Sequence, residues 1–215
     1  MKNILKNLKK THPFILEICR HFFLDKGYDS TDLIKKLWDE YQIKPLIDIR
    51  NMWKDGEETR LLLKSSNVVY DYKGTIFCYC PISGEKKELA FGGFEKKRGT
   101  LKYLCPVKAY GIKCPGYKKC SSYHGIRISL ETNRRIFTPI ARSSYKWKKL
   151  YKARTAVERV NSRLDVSFGF ENHTIRGLKK MKVRCGLALS VMLAIAIGRC
   201  QKKQNHLIRS LVKAA

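Results

Sequence analysis

The chain is poor in acid. Against 45 lysines and arginines stand only 18 aspartates and glutamates, a formal charge of +27 over 215 residues. Colloidal stability asks for a net charge of only ~2–8 in a small domain, so the surplus points to a polyanionic partner, nucleic acid first and an anionic membrane second. Long apolar runs are missing as well. Lysines interrupt every apolar stretch of MKNILKNLKKTHPF, which speaks against a secretory signal. The apolar run Cys185 to Gly198 covers 14 residues, short of the ~20 that a helix needs to cross a bilayer, so a buried core helix and no membrane partner are expected. Neither an internal repeat nor a low-complexity tract is visible, and no Cys-x2-Cys pair supplies a strong zinc signature.

What is present suits one sizeable core with an inserted subdomain, since 44% of the residues are hydrophobic and 11% aromatic. Eight cysteines without an export signal imply a reducing, cytoplasmic setting, hence thiols or metal ligands rather than disulfides. The cations are concentrated: residues 146–185 hold 12 lysines and arginines against three acids (Glu158, Asp165 and Glu171), a net of +9. If ~6–10 of them reach phosphates, binding should fall by roughly 10³–10⁵ between 50 and 200 mM salt.

Residues 2–20 predict a helix broken near His12-Pro13, with Phe14, Ile15, Ile18 and Cys19 toward a core. His21–Leu24 reads as a short strand, Asp29-Ser-Thr as the cap of an amphipathic helix over Asp32–Tyr41, and Pro45–Ile49 as a buried parallel strand. Strand, helix, strand puts Asp25 at a strand's carboxyl end, where open α/β sheets keep their sites; a loop aspartate assisting a turn is the plainer alternative. Asp48, inside the apolar run, either points to the opposite face or needs a partner such as Arg50. From Asn51 to Tyr145 the chain turns β-rich, with predicted hairpins of Thr75–Cys80 with Lys86–Phe91 and of Ile126–Leu130 with Arg135–Thr138. This stretch holds Cys78, Cys80, Cys105, Cys114 and Cys120, three of them followed by proline in turns that present thiolates toward one point. With His124 they offer donors enough for a structural Zn²⁺; unligated reduced thiols are the alternative. Cys19, Cys185 and Cys200 lie in apolar helical contexts and are expected in the core.

Ser143 or Ser144 can cap a helix whose apolar side is Trp147, Leu150, Ala153 and Val157. The helix is expected to continue through Tyr151–Asp165, YKARTAVERVNSRLD, where Tyr151, Arg154 and Glu158 stand at i−7, i−4 and i and so share a face. A carboxylate there suits a divalent cation, Arg154 can fork onto a phosphate oxygen, and Tyr151 can hydrogen-bond the same backbone. An ordinary exposed helix with an Arg/Glu pair is the other reading. Val183–Ile197 predicts a final helix packed on the sheet.

The Tyr-x2-Arg-x3-Glu spacing within RTAVERVNSRL, together with Asp25, Gly27 and Tyr28 as an Asp-x-Gly-Tyr motif, resembles DDE-type insertion-sequence transposases. That resemblance covers nearly the whole chain. It implies a partial RNase H-like α/β core, a mixed sheet with flanking helices. Residues 1–50 and 146–215 would carry this core, and 51–145 would be a β-rich, cysteine-bearing insertion that contacts DNA ends. It implies Asp25 and Glu158 as two of three catalytic carboxylates on Mg²⁺ or Mn²⁺, for strand cleavage at transposon ends and joining of a 3′-hydroxyl to target DNA. Tyr151 and Arg154 match backbone-contacting positions, with Lys148, Lys149, Lys152, Arg159, Arg176, Lys179 and Lys180 as further candidates on double-stranded DNA. Two departures stand out: Asp165 occupies the place of the family's lysine, and no aspartate precedes Asp25. The expectation is therefore a C-terminal transposase fragment, inactive alone, acting as a homodimer if two ends are to be cut. A non-catalytic DNA-binding regulator of transposition and a generic Mg-dependent nuclease are the alternatives.

Overall fold

The structure, a computed structural model, describes residues 2–62 and 67–209. Pro13 divides the first helical segment into α1 (Lys2–Thr11) and α2 (Pro13–Ile18), as a ring without an N–H must. The buried residues there are Leu5 and Leu16, whereas Phe14, Ile15 and Ile18 are exposed and Cys19 is half-buried. The expected core face is thus corrected: α2 has only six residues and inserts one side chain, so the phase set by its apolar residues is not the phase of its packing.

Strand β1 (His21–Leu24) pairs in parallel with β2 (Lys44–Ile47), with Leu24 opposite Ile47. No hairpin can join parallel neighbours. The chain returns through a 3₁₀ turn at Lys26–Tyr28, α3 (Thr31–Lys35) and a π turn at Lys36–Glu40. That π turn sends Leu37 into one apolar cluster, with Leu5, Leu24, Ile34 and Ile47, and Trp38 into a second, with Ile76, Leu101, Ile128 and Phe137.

The β-rich stretch forms two antiparallel sheets. The first contains β3 (Arg60–Leu61), β4 (Val68–Tyr70), β5 (Ile76–Tyr79) and β6 (Lys86–Glu88). The predicted hairpin is present, Phe77 facing Glu88 and Tyr79 facing Lys86. Past Leu89 the chain crosses into the second sheet, of β7 (Ala90–Glu95), β8 (Thr100–Leu104) and β9 (Ile126–Ser129), with the short α4 (Pro106–Tyr110) between the last two strands. The predicted pairing of Ile126–Leu130 with Arg135–Thr138 does not form, because β9 pairs with β8 instead. Residues 134–142 are held by buried arginines rather than by a ladder: Arg134 pairs with Asp39, and Arg142 donates to the carbonyls of Ile47 (3.0 Å) and Ile136 (2.7 Å). Burial pushes the Arg142 guanidinium down to about 10.

Two compact units result, Met1–Ala153 and Arg154–Ala215. The first holds both apolar clusters and all three sheets. The segments read as 1–50 and 51–145 therefore lie together in it. Ser144 caps α5 (Tyr145–Tyr151) by accepting from the Trp147 amide at 3.1 Å. The second unit contains α6 (Thr155–Ser162), a π turn at Arg163–Ser167 and α7 (Leu178–Gln201). Gly169, at φ 65°, takes the left-handed conformation that turns the chain after the π turn. Arg184 of α7 ties that turn down through the carbonyls of Phe168 (2.9 Å) and Gly169 (3.3 Å).

The long helix departs from expectation. Its apolar run lies inside 24 residues, long and apolar enough to cross a membrane by length and composition. Ala188 is its only buried residue, while Val183, Leu187, Leu193 and Ile197 are exposed. It is not a buried core helix. Cys185 is half-buried and Cys200 exposed, so neither is a core cysteine.

Candidate functional site

Asp25 directly follows β1 and caps the 3₁₀ turn, its Oδ1 accepting from the Lys26 amide at 2.9 Å. Its side chain is exposed. The turn behind it is fixed by Asp29, whose side chain is fully buried and whose Oδ2 accepts from the Arg50 amide (2.9 Å) and from Arg135 Nε (3.1 Å). Arg50 Nε in turn donates to the Lys26 carbonyl at 3.2 Å. Asp29 was read as part of a helix cap. The cap position is taken by Ser30, without a side-chain bond, and Asp29 instead anchors the loop that presents Asp25. The paired arginines at 134 and 135, in an otherwise apolar stretch, were the available signal.

Asp48 stands at the same end of the parallel pair, one residue beyond β2 as Asp25 is one beyond β1. Its partner is Lys26 at 3.9 Å rather than Arg50, and its Oδ1 accepts from the Ile49 amide at 2.9 Å. It lines a cleft of about 390 Å³ with Asp71, Glu88, Trp147 and Lys148. Burial raises the Glu88 carboxyl above its usual range, against the opposing pull of Lys148.

The predicted continuous helix over Tyr151–Asp165 is interrupted. α5 ends at Tyr151, a 3₁₀ turn spans Lys152–Arg154, α6 ends at Ser162, and Asp165 lies in the π turn. Tyr151, still within α5, stacks on Trp147, ring centroids 4.4 Å apart and 14° from parallel. Arg154 and Glu158 do share a face and meet at 2.7 Å, with the Glu158 side chain 52% exposed. Of the expected apolar side, Trp147 and Leu150 are half-buried, but Ala153 and Val157 are exposed. Asp25 belongs to the first unit and Glu158 to the second.

Lys148, Lys149, Lys152, Arg159, Arg176, Lys179 and Lys180 are all exposed. Lys179 and Lys180 open α7, and its cap residue, Gly177, makes no side-chain bond to the first turn. Cations at a helix N-terminus oppose the helix dipole, a cost that a bound phosphate would remove.

The five cysteines of the β-rich stretch are reduced; Cys78, Cys80 and Cys105 are buried and Cys114 and Cys120 half-buried. Among the described residues, no three His, Cys, Asp or Glu side chains already stand in coordinating geometry. His124 is exposed, its ring against Tyr123. Comparison of the chain with protein-family models, with curated proteins and with solved structures returns no match.

Proposed function

We propose that the chain carries part of a DDE-type transposase catalytic core, RNase H-like in plan, that binds double-stranded DNA and contributes Asp25 and Glu158 to a divalent-metal site. The observation that supports it most is the placement of Asp25 at the carboxyl end of a parallel strand pair, exposed, on a turn clamped by buried Asp29. Exposed carboxylate oxygens fit a hard cation such as Mg²⁺ or Mn²⁺. When bound, the metal pair supplies an activated water or 3′-hydroxyl and stabilises the leaving oxygen.

The chain's own residues orient and neutralise. Arg154 holds Glu158 in an ion pair; a cation taking the carboxylate releases the guanidinium toward a phosphate oxygen, where its planar fork fits. The exposed lysines position the duplex without reading its sequence. Asp165, where the family has a lysine, repels phosphate and loosens the grip on the end. Two matched acids leave one of the three unsupplied, so cleavage needs a further carboxylate beyond Asp25 and Glu158. Two ends call for two protomers, and a homodimer is the working assembly.

Mn²⁺ binding followed by electron paramagnetic resonance, beside nicking of labelled duplex, tests the reading. The expected outcome is salt-sensitive duplex binding, Mn²⁺ binding weakened in both Asp25→Ala and Glu158→Ala, and no nicking by the chain alone. Unchanged Mn²⁺ binding in either variant sinks the shared metal site. Nicking that Asp25→Ala abolishes would refute inactivity, and duplex binding with no metal binding would favour the non-catalytic regulator.

A further inference from the structure

The cysteine-bearing turns do more than bury thiols. Cys80 closes β5 and opens the turn Cys80-Pro-Ile-Ser-Gly84, whose amides at Ile82 and Ser83 point back at the Cys80 sulfur, the latter at 3.5 Å. Cys114-Pro-Gly116 repeats the device, with the Gly116 amide on the Cys114 sulfur. Backbone N–H groups aimed at a sulfur favour its thiolate. The two turns are pressed together: a Cβ on Gly116 would lie 2.8 Å from the Pro81 ring and 3.0 Å from Cys80 Sγ.

The remaining sulfurs gather around this pair. Ser122, fully buried, places its hydroxyl 3.1 Å from Cys120 Sγ. Asn67 donates to Cys120 Sγ at 3.2 Å. Asn67 also accepts from the Tyr79 amide at 2.8 Å and donates to the Tyr79 carbonyl at 3.4 Å, which sets Cys120 beside the strand end that carries Cys78 and Cys80. Cys105 follows β8 and is buried. Three chain segments, from both antiparallel sheets and the loop between β8 and β9, therefore bring reduced sulfur to one place in a basic unit. Packing alone does not need this, since a buried thiol is only a small hydrophobe.

We propose that these turns form a structural zinc site, anchored by the Cys80 and Cys114 thiolates and completed to a tetrahedron by two of Cys78, Cys105 and Cys120. The preference for sulfur over carboxylate or imidazole selects a soft-accepting tetrahedral ion, and four thiolates fill the tetrahedron, leaving no open position for catalysis. Binding forms four metal–sulfur bonds and releases the thiol protons to solvent. The ion would staple the end of β5 to the end of β8. This site is independent of the transposase reading.

The test uses the full chain, purified under reducing conditions without added metal. Metal analysis should find about one zinc per chain. Cobalt exchanged into the site should show the visible bands of tetrahedral cobalt and sulfur-to-cobalt charge transfer. Cys80→Ser and Cys114→Ser should each lose the ion and the charge-transfer band, and Cys185→Ser and Cys200→Ser should keep both. Should the anchoring variants not fold, the wild-type spectrum decides alone: charge transfer supports the site and its absence overturns it. Folded wild-type chain without metal, iron in place of zinc, or full binding by folded Cys80→Ser each overturns the assignment.

Discussion

Leu101 and Leu193 are both leucines inside regular structure, yet the first is completely buried in β8 and the second is 62% exposed on α7. The same contrast runs through the two units. In Met1–Ala153, strands of only two to six residues suffice because three sheets and buried arginines surround two apolar clusters. In Arg154–Ala215, a 24-residue apolar helix buries Ala188 and half-buries Cys185, Met192 and Ile195, while Val183, Leu187, Leu193 and Ile197 stay exposed. Apolar content therefore marks what a segment can bury, while the partner face decides what it does bury.

That comparison can be broken most forcefully through the charged groups. Arg135→Met leaves the fully buried Asp29 without its ion-pair partner, keeping only the Arg50 amide on its Oδ2, and should cost about 3 kcal/mol. Arg154→Ala, which removes a half-exposed i,i+4 partner, should change stability by no more than ~0.5 kcal/mol. Denaturant unfolding of the two variants checks both, and similar losses would erase the distinction between a clamped and a solvated ion pair. For duplex affinity the order should reverse: Arg154→Ala lowers it and reduces the salt slope by about one.

A second pair sharpens the packing side. Leu101→Ala should lose about 2–5 kcal/mol by leaving a cavity in a dense core. Leu193→Ala should stay within ~0.5 kcal/mol. A large loss at Leu193, read in the same unfolding experiment, would mean that α7 is covered in solution.

The smallest expected effect concerns protons. Burial, and then the charges of Lys44, Lys146 and Arg20, hold the His21 imidazole below its ordinary 6.5. Protonation thus favours the unfolded chain, and the stability at stake is fully present above pH 6.5 and is lost as the pH falls through the lowered folded value. Unfolding midpoints between about pH 5 and 8 should fall less steeply on the acid side in His21→Gln than in the wild type. Equal slopes would remove His21 as the cause.

The site was legible where local chemistry is short-ranged. The strand before Asp25, the Ser144 cap, the Arg154–Glu158 face and the hairpin across Pro81–Gly84 each depend on residues a few positions apart. Asp29 was misassigned because its partner, Arg135, is 106 residues away. The β9 pairing was missed for a related reason: alternation marks a strand but does not name the neighbour that takes its hydrogen bonds.

By itself the sequence determined the excess positive charge, the Cys-Pro turns and the carboxylate at the end of β1, because composition, fixed proline geometry and alternation are properties of the chain. Tertiary structure alone decided that Asp29 clamps the loop bearing Asp25, that cysteine-bearing turns from both antiparallel sheets lie near Cys80, and that Val183, Leu187, Leu193 and Ile197 of α7 stay exposed. Each of these depends on which distant surfaces meet, and packing contacts between residues far apart in the chain carry no local signature.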